Sequence, residues 1–261
     1  MRQVTCVGFY GHQKPKKFQK YLKNLQTEVY SLLRSDFKPY DIRQIHGTII
    51  GMEKLIGYRE YANFNRWDVE EKIELMKFDE FIKVLQYWDY PIKIRFGGFK
   101  KGYKEFLSCP KSGFKQLEPY YRSFSVNVDM EKVVLIGWPH KNGDFKNNQE
   151  LLKLRNEIKT KANITHKYDH WEDNDFFVVL GDITNKSHWQ ETENAKKIDE
   201  LNLRIRDDMC KEEDAITLNL DLTQKDIYIV QYTQECLKLN SSEAYNLSNY
   251  GYKINIEDLY S

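Results

Sequence analysis

The apolar run "VTCVGFYG", residues 4–11, is short and closes on glycine, which predicts a strand. The period then changes. Phe18, Tyr21, Leu22, Leu25, Val29 and Leu32 recur at three- and four-residue spacing, the pattern of a helix with one buried face. "RQIHGTIIGM" reads as a second strand, and "WDVEEKIELMKFDEFIKVLQYW" as one long helix with Val69, Ile73, Met76, Phe81, Leu85 and Trp88 inward and a cap at Trp67-Asp68. "YPIKIRFGGF" is the next strand. "RSFSVNVDMEKVVLIGW" is a hairpin with its turn at residues 129–131, because Phe124, Val126 and Val128 alternate before the turn and an apolar run returns. A helix in "NNQELLKLRNEIKTKANI", a buried strand in "DNDFFVVLGDI" and a polar helix from Ser187 follow. "AITLNLDLTQKDIYIVQYTQ" reads as a second hairpin turning near Gln224-Lys225.

The order strand, helix, strand, helix, strands then repeats in outline, which predicts an α+β fold with two similar lobes in one domain spanning residues 1–261. Each half must bury one helix face against its own sheet. Lobe one is expected over about 1–140 and lobe two over about 141–261, with strand exchange between them allowed. Hydrophobic residues at 41% and charged residues at 30% give a globular composition. A net charge of +1 leaves no case for nucleic-acid binding through overall charge, so any such case rests on local patches. Cys6, Cys109, Cys210 and Cys236 are far apart and show no metal-ligand spacing. No signal-peptide pattern and no long apolar run occurs, so a soluble, cytoplasmic protein is expected.

The chemistry-bearing stretch is "QIHGTIIG". On a strand, positions i and i+2 share a face, so His46 and Thr48 stand side by side above one surface of the sheet. An imidazole that titrates near neutrality can pass a proton, and the hydroxyl beside it can donate to a phosphoryl oxygen. His-x-Thr about forty residues into the chain, after a strand and a helix and before "KIRFGGF" and "KVVLIGW", resembles the two-histidine phosphoesterase superfamily. That group includes the 2′-5′ RNA ligase-like proteins and cyclic phosphodiesterases. The resemblance implies antiparallel sheets with outer helices, two lobes facing across a groove, and one His-x-Thr/Ser from each lobe. It also implies acid-base chemistry on a phosphodiester without metal or other cofactor.

The second motif of the family falls on "FFVVLGDI", where Phe177 takes the histidine position, Val179 the threonine position and Asp182 that of an arginine. The second half-site is therefore degenerate. A phenyl ring can stack on a base but cannot carry a proton. His166 and His170, in the loop before this strand, are alternative acid-base partners, although the acidic "WEDND" run there reads as solvated. His12, with the lysines of "HQKPKK", and Lys100 and Lys101, interleaved with aromatics in "GGFKKGYKEF", are candidate ligand contacts. So are Tyr58 and Arg59 in a stretch that follows the His46 strand. The expectation is a protein that binds a nucleotide, a cyclic (oligo)nucleotide or an RNA end in the groove, with weak or no hydrolysis. An active phosphodiesterase and a protein-interaction scaffold are the competing readings.

Overall fold

The structure, a computed structural model, describes residues 2–58, 60–110, 116–211, 218–250 and 253–261. The chain is α+β. Its strands are β1 (Gln3–Gly8), β2 (Phe37–Pro39), β3 (Gly47–Gly51), β4 (Ile92–Phe96), β5 (Phe124–Asn127), β6 (Lys132–Pro139), β7 (Phe176–Ile183), β8 (Leu218–Leu222), β9 (Ile227–Tyr232) and β10 (Ser242–Asn246). Its helices are α1 (Lys16–Leu33), α2 (Phe64–Glu70), α3 (Phe78–Tyr87), α4 (Pro119–Arg122), α5 (Glu150–Ala162), α6 (Lys186–Gln190), α7 (Thr192–Asp208), α8 (Leu247–Tyr250) and α9 (Ile256–Tyr260). No helix among the described residues is long and apolar enough to cross a membrane.

The described strands form one antiparallel sheet in the order β10-β9-β1-β3-β7-β6-β4-β8, with β2 added to β7 and β5 to β6. Residues 218–232 do not form the expected hairpin: β8 pairs with β4, and β9 pairs with β1. Alternation reports that a strand has one buried face, but it carries no information about which strand lies beside it. The consequence for shape is large. Six strand spacings of about 4.8 Å separate β9 from β8 in a flat sheet, or roughly 29 Å. The five steps from Leu222 to Ile227 reach at most about 18 Å, so the sheet curls until its ends approach. The backbone N–H of Phe9 accordingly donates to the Asp226 carbonyl at 2.7 Å.

The partition of strands also departs from a cut near residue 140. β10, β9, β1 and β3 come from the two chain ends, whereas β7, β6, β4 and β8 come from the middle. The chain ends meet because β1 and β9 pair along six positions.

On the main core face, α1 presents Phe18, Tyr21, Leu22, Leu25 and Val29, as its spacing predicts, and packs across β7 and β8, while α5 packs on β3 and α3. The long helix expected from residue 67 is two helices. Glu71 takes a left-handed φ of 55°, and the chain runs back so that Met76 N–H donates to the Tyr61 carbonyl at 2.9 Å. Ile73 is left exposed. The cap is Asn63, whose side chain accepts from Arg66 N–H at 2.9 Å and from Thr165 N–H at 3.1 Å. Tertiary bonds of this kind override a continuous apolar period. The polar helix likewise breaks at Glu191, between α6 and α7.

The two strand sets meet at β3 and β7, which share a single paired position, Gly47 opposite Val178. Beyond it the strands part, and their carbonyls need other donors. Arg155 of α5 supplies them. Its Nε donates to Ile49 O at 2.8 Å, Nη1 to Asp173 O at 2.6 Å, and Nη2 to Thr48 O and Asp175 O at 3.1 Å each. The Asp173 carboxylate lies 3.5 Å from Nη1 and balances the charge of this fully buried guanidinium.

Arg155→Met keeps much of the volume and removes every donor, so four carbonyls lose a donor and the buried Asp173 carboxylate loses its guanidinium, keeping His166 and the Asp175 N–H. A loss of about 3–5 kcal/mol is expected in urea unfolding, and a change below about 1 kcal/mol would show that the guanidinium does not join the strands. Gly47 admits no side chain, since a Cβ there would sit 2.3 Å from the Phe176 ring. Gly47→Ala is expected to lower stability by about 1–3 kcal/mol, read as a fall in the urea midpoint.

Candidate functional site

Where β3 and β7 part, the sheet's second face carries a cavity of about 370 Å³. Two small apolar clusters flank it, one built on Val7, Tyr228 and Val230 of β1 and β9, the other on Val134, Ile136 and Trp138 of β6. His46 immediately precedes β3, and its side chain and that of Thr48 both line the cavity, as their spacing predicts. Phe177 lines it from the neighbouring strand, and Met130 of the β5–β6 turn lines it as well. Val179 is half-buried, opposite Val134 on β6, and is not among the cavity-lining residues.

His46 is held in one chemical state. Its Nδ1 lies 2.8 Å from the Gln44 carbonyl, an acceptor, so Nδ1 carries the proton and Nε2 keeps its lone pair. Burial pushes the imidazole pKa down to about 4; the Gln44 hydrogen bond acts in the opposite direction, and the nearby Lys14 ammonium lowers it further. At neutral pH His46 is therefore an uncharged base. Lys14 is itself buried and donates to the carbonyls of Ile45, at 2.7 Å, and Phe9, which ties the turn after β1 to the backbone before His46. Burial lowers its pKa to about 7.

The loop after α5 brings a second imidazole to the same cavity. Thr165 is buried, with Oγ1 donating to Glu70 at 2.7 Å, and this anchor turns His166 inward. His166 Nε2 stands 2.8 Å from Asp173 Oδ2, the carboxylate that also faces Arg155. The expected solvated character of "WEDND" is thus overturned at Asp173 and Asp175, both buried. Asp175 receives hydrogen bonds from Trp138 Nε1 at 2.8 Å, Ser108 Oγ at 2.7 Å and Arg122 at 3.2 Å. An acidic run reads as solvated by composition alone; here Ser108, Arg122, Trp138, Arg155 and His166 satisfy it.

Other sequence-derived candidates lie elsewhere. His12, Lys100, Lys101 and Tyr58 are exposed and do not line the cavity. His170 is exposed with its ring 4.3 Å from that of Trp171. Arg59 lies outside the described residues. Asp182 binds Tyr40 Oη at 2.7 Å and pairs with Lys132, away from the cavity. The cavity also gathers residues that no motif marks: Thr5, Glu53, Arg155, Asp173 and Tyr232. Of these only Arg155 carries a sequence signal, for it falls on the inward stripe of Leu151, Leu154 and Ile158, where a charge needs buried partners.

A larger cavity, about 720 Å³, separates β5 from α7. It offers no histidine, and the free edge of β5 is already satisfied there: Asn202 bonds both backbone groups of Val126, and Arg206 Nε donates to Phe124 O at 2.8 Å. No group of three or more His, Cys, Asp or Glu among the described residues is placed to hold a metal ion.

No protein-family model and no curated protein matches this chain. A solved structure of a conserved protein of unknown function from Agrobacterium tumefaciens superposes with a TM-score of 0.47 at 10% identity, over 94% of this chain and 84% of that one. A likeness at that level assigns no chemistry.

The depressed pKa of His46 has a signed consequence for stability. The unfolded chain takes up the proton near pH 6.5 and the folded one only near pH 4, so the imidazole costs nothing above pH 6.5, destabilises increasingly as pH falls from 6.5 to 4, and adds no further penalty below that. His46→Gln is expected to gain stability relative to the parent as pH drops from 7 to 4, by about 1.4 kcal/mol per unit of separation between the two pKa values. A difference between parent and variant that stays constant with pH would rule out the buried neutral state.

Proposed function

We propose that this cavity binds a phosphate-bearing nucleotide and that His46 and His166 serve it as a pair of proton carriers, in a fold of the two-histidine phosphoesterase type. The observation that carries the reading is the convergence of a neutral imidazole, a hydroxyl and a second imidazole held by a buried carboxylate on one open cavity. His46 Nε2 accepts the proton of the attacking hydroxyl or water. Thr48 Oγ1 donates to a non-bridging phosphoryl oxygen, and His166, with Nε2 held by Asp173, gives a proton from its buried Nδ1 to the leaving oxygen. The carboxylate orients the imidazole and offsets its charge, while Arg155 holds the carboxylate in turn. Phe177, in the position that the sequence comparison assigns to a histidine, offers a flat apolar wall for a base.

His166 moves the balance from a silent binder to an enzyme. A site built on His46 alone has one proton carrier, and each positioned acid or base is worth about 10² to 10⁴ in rate. A scaffold with no ligand fits less well, because the space between the strand sets is open and lined with polar groups.

The test is hydrolysis of 2′,3′-cyclic nucleotides and cyclic dinucleotides by the purified chain, followed by product analysis. His46→Ala and His166→Asn are each expected to lower kcat by about 10² to 10⁴, and His166→Asn to leave ligand affinity within about tenfold. Turnover that survives both substitutions would defeat the assignment of proton carriers. Binding without turnover in the parent would return the protein to the sequestering role.

A further inference from the structure

Three carboxylates line the cavity, and two are accounted for. Asp173 serves Arg155 and His166, and Glu235 is exposed on the segment after β9. Glu53 is different. Its Oε1 accepts from Tyr232 Oη at 2.8 Å and its Oε2 from Asn65 Nδ2 at 3.1 Å, both neutral donors, and no cation pairs with it among the described residues. Burial pushes its pKa up. The strand makes room for it, since a Cβ on Gly51 would lie 2.2 Å from Glu53 Oε2 and 2.9 Å from Asn65 Nδ2. A partly desolvated carboxylate, oriented by two donors and folded over a glycine, faces a cavity that Lys167 and Arg155 also line, with no direct ion pair to a cation among the described residues. Each of its oxygens retains a lone pair for a further donor.

Position along β3 gives this group its role. Gly47 to Gly51 is four steps of extended chain, about 13 Å, with His46 before one end and the Glu53 carboxylate folded back over Gly51 at the other. That is of the order of the separation between a nucleotide's phosphate and the hydrogen-bonding edge of its base. Phe64, Tyr168 and Phe177 line the same space and offer aromatic faces to a base between the two ends.

We infer that Glu53 selects the base of the bound nucleotide, accepting two parallel hydrogen bonds from the N1–H and N2–H₂ donors of guanine, an inference that rests on the nucleotide reading of the cavity. Guanine alone among the common bases sets two N–H donors side by side on its Watson–Crick edge. Adenine and cytosine place a ring acceptor beside their amine, and uracil flanks its N–H with carbonyls, so each opposes a lone pair to one carboxylate oxygen. Donors aimed at both oxygens supply what the protein leaves unsupplied, and an acceptor there leaves a buried charge facing a lone pair. Tyr232 and Asn65 act through Glu53 as positioning residues.

The experiment measures affinity of the full chain for guanosine, adenosine, cytidine and uridine by calorimetry, and then for their 2′,3′-cyclic phosphates. Guanosine is expected to bind about 10- to 100-fold more tightly than the other nucleosides, the value of a hydrogen bond to a charged group. E53Q, which presents one acceptor and one donor, loses that preference and keeps the gain from the phosphate. E53D, which retains the charge but withdraws it by one methylene, also loses the preference and stands in should E53Q fail to fold. His46→Ala shows the reverse, losing the phosphate gain and keeping the preference for guanine. Equal affinity for the four nucleosides, or a guanine preference intact in E53Q or E53D, overturns the role of Glu53 and leaves the phosphate site standing. Guanosine that binds as tightly as its cyclic phosphate overturns the phosphate site and leaves Glu53. Binding of none overturns both.

Discussion

One guanidinium holds the two strand sets together. β3 and β7 pair at a single position and then separate, which ordinarily strands four backbone carbonyls in a dry interior. Arg155 donates to all four. Its planar fork reaches two strands at once, which a lysine could not do with comparable geometry. The gap it bridges is also the origin of the cavity, because strands that stayed paired would leave no opening between them. Strand separation, the buried charge and the cavity are thus one feature, and Asp173 links it to His166.

The two imidazoles are prepared differently. His46 is kept neutral by burial and by the Gln44 carbonyl, with Lys14 adding repulsion against a proton. His166 has the buried Asp173 carboxylate 2.8 Å from its Nε2. The arrangement needs residues from β3, α5 and the loop before β7, so it exists only when the sheet has assembled.

Much of the fold was legible as elements and little of it as partners. α1, α5, β7 and the β5–β6 hairpin follow from their periods. The single helix expected from residue 67 did not form, because Asn63, Thr165 and the backbone of Tyr61 bind the chain across its middle. The expected β8–β9 hairpin became a link between the ends of a curled sheet, since alternation cannot distinguish a neighbour across a turn from one across the molecule. Around the cavity, His46 and Thr48 were legible from i, i+2 spacing, and Phe177 from the resemblance of its strand to the family's second motif. His166 was weighed only as a loop histidine, and Glu53 was not marked at all.

The sequence by itself determined which faces are buried and which pairs of side chains share a face, because these depend on local geometry with periods of two and 3.6 residues. It thereby placed His46 beside Thr48 and put Arg155 on an apolar stripe. The tertiary structure alone decided that β3 meets β7, that Arg155 fills the gap where they part, and that Asp173 and Asp175 are buried rather than solvated. It also decided that Glu53 and His166 share a cavity with His46. These depend on contacts between residues up to more than a hundred positions apart, made when the curled sheet brings chain ends and chain middle together, and no local pattern encodes that distance.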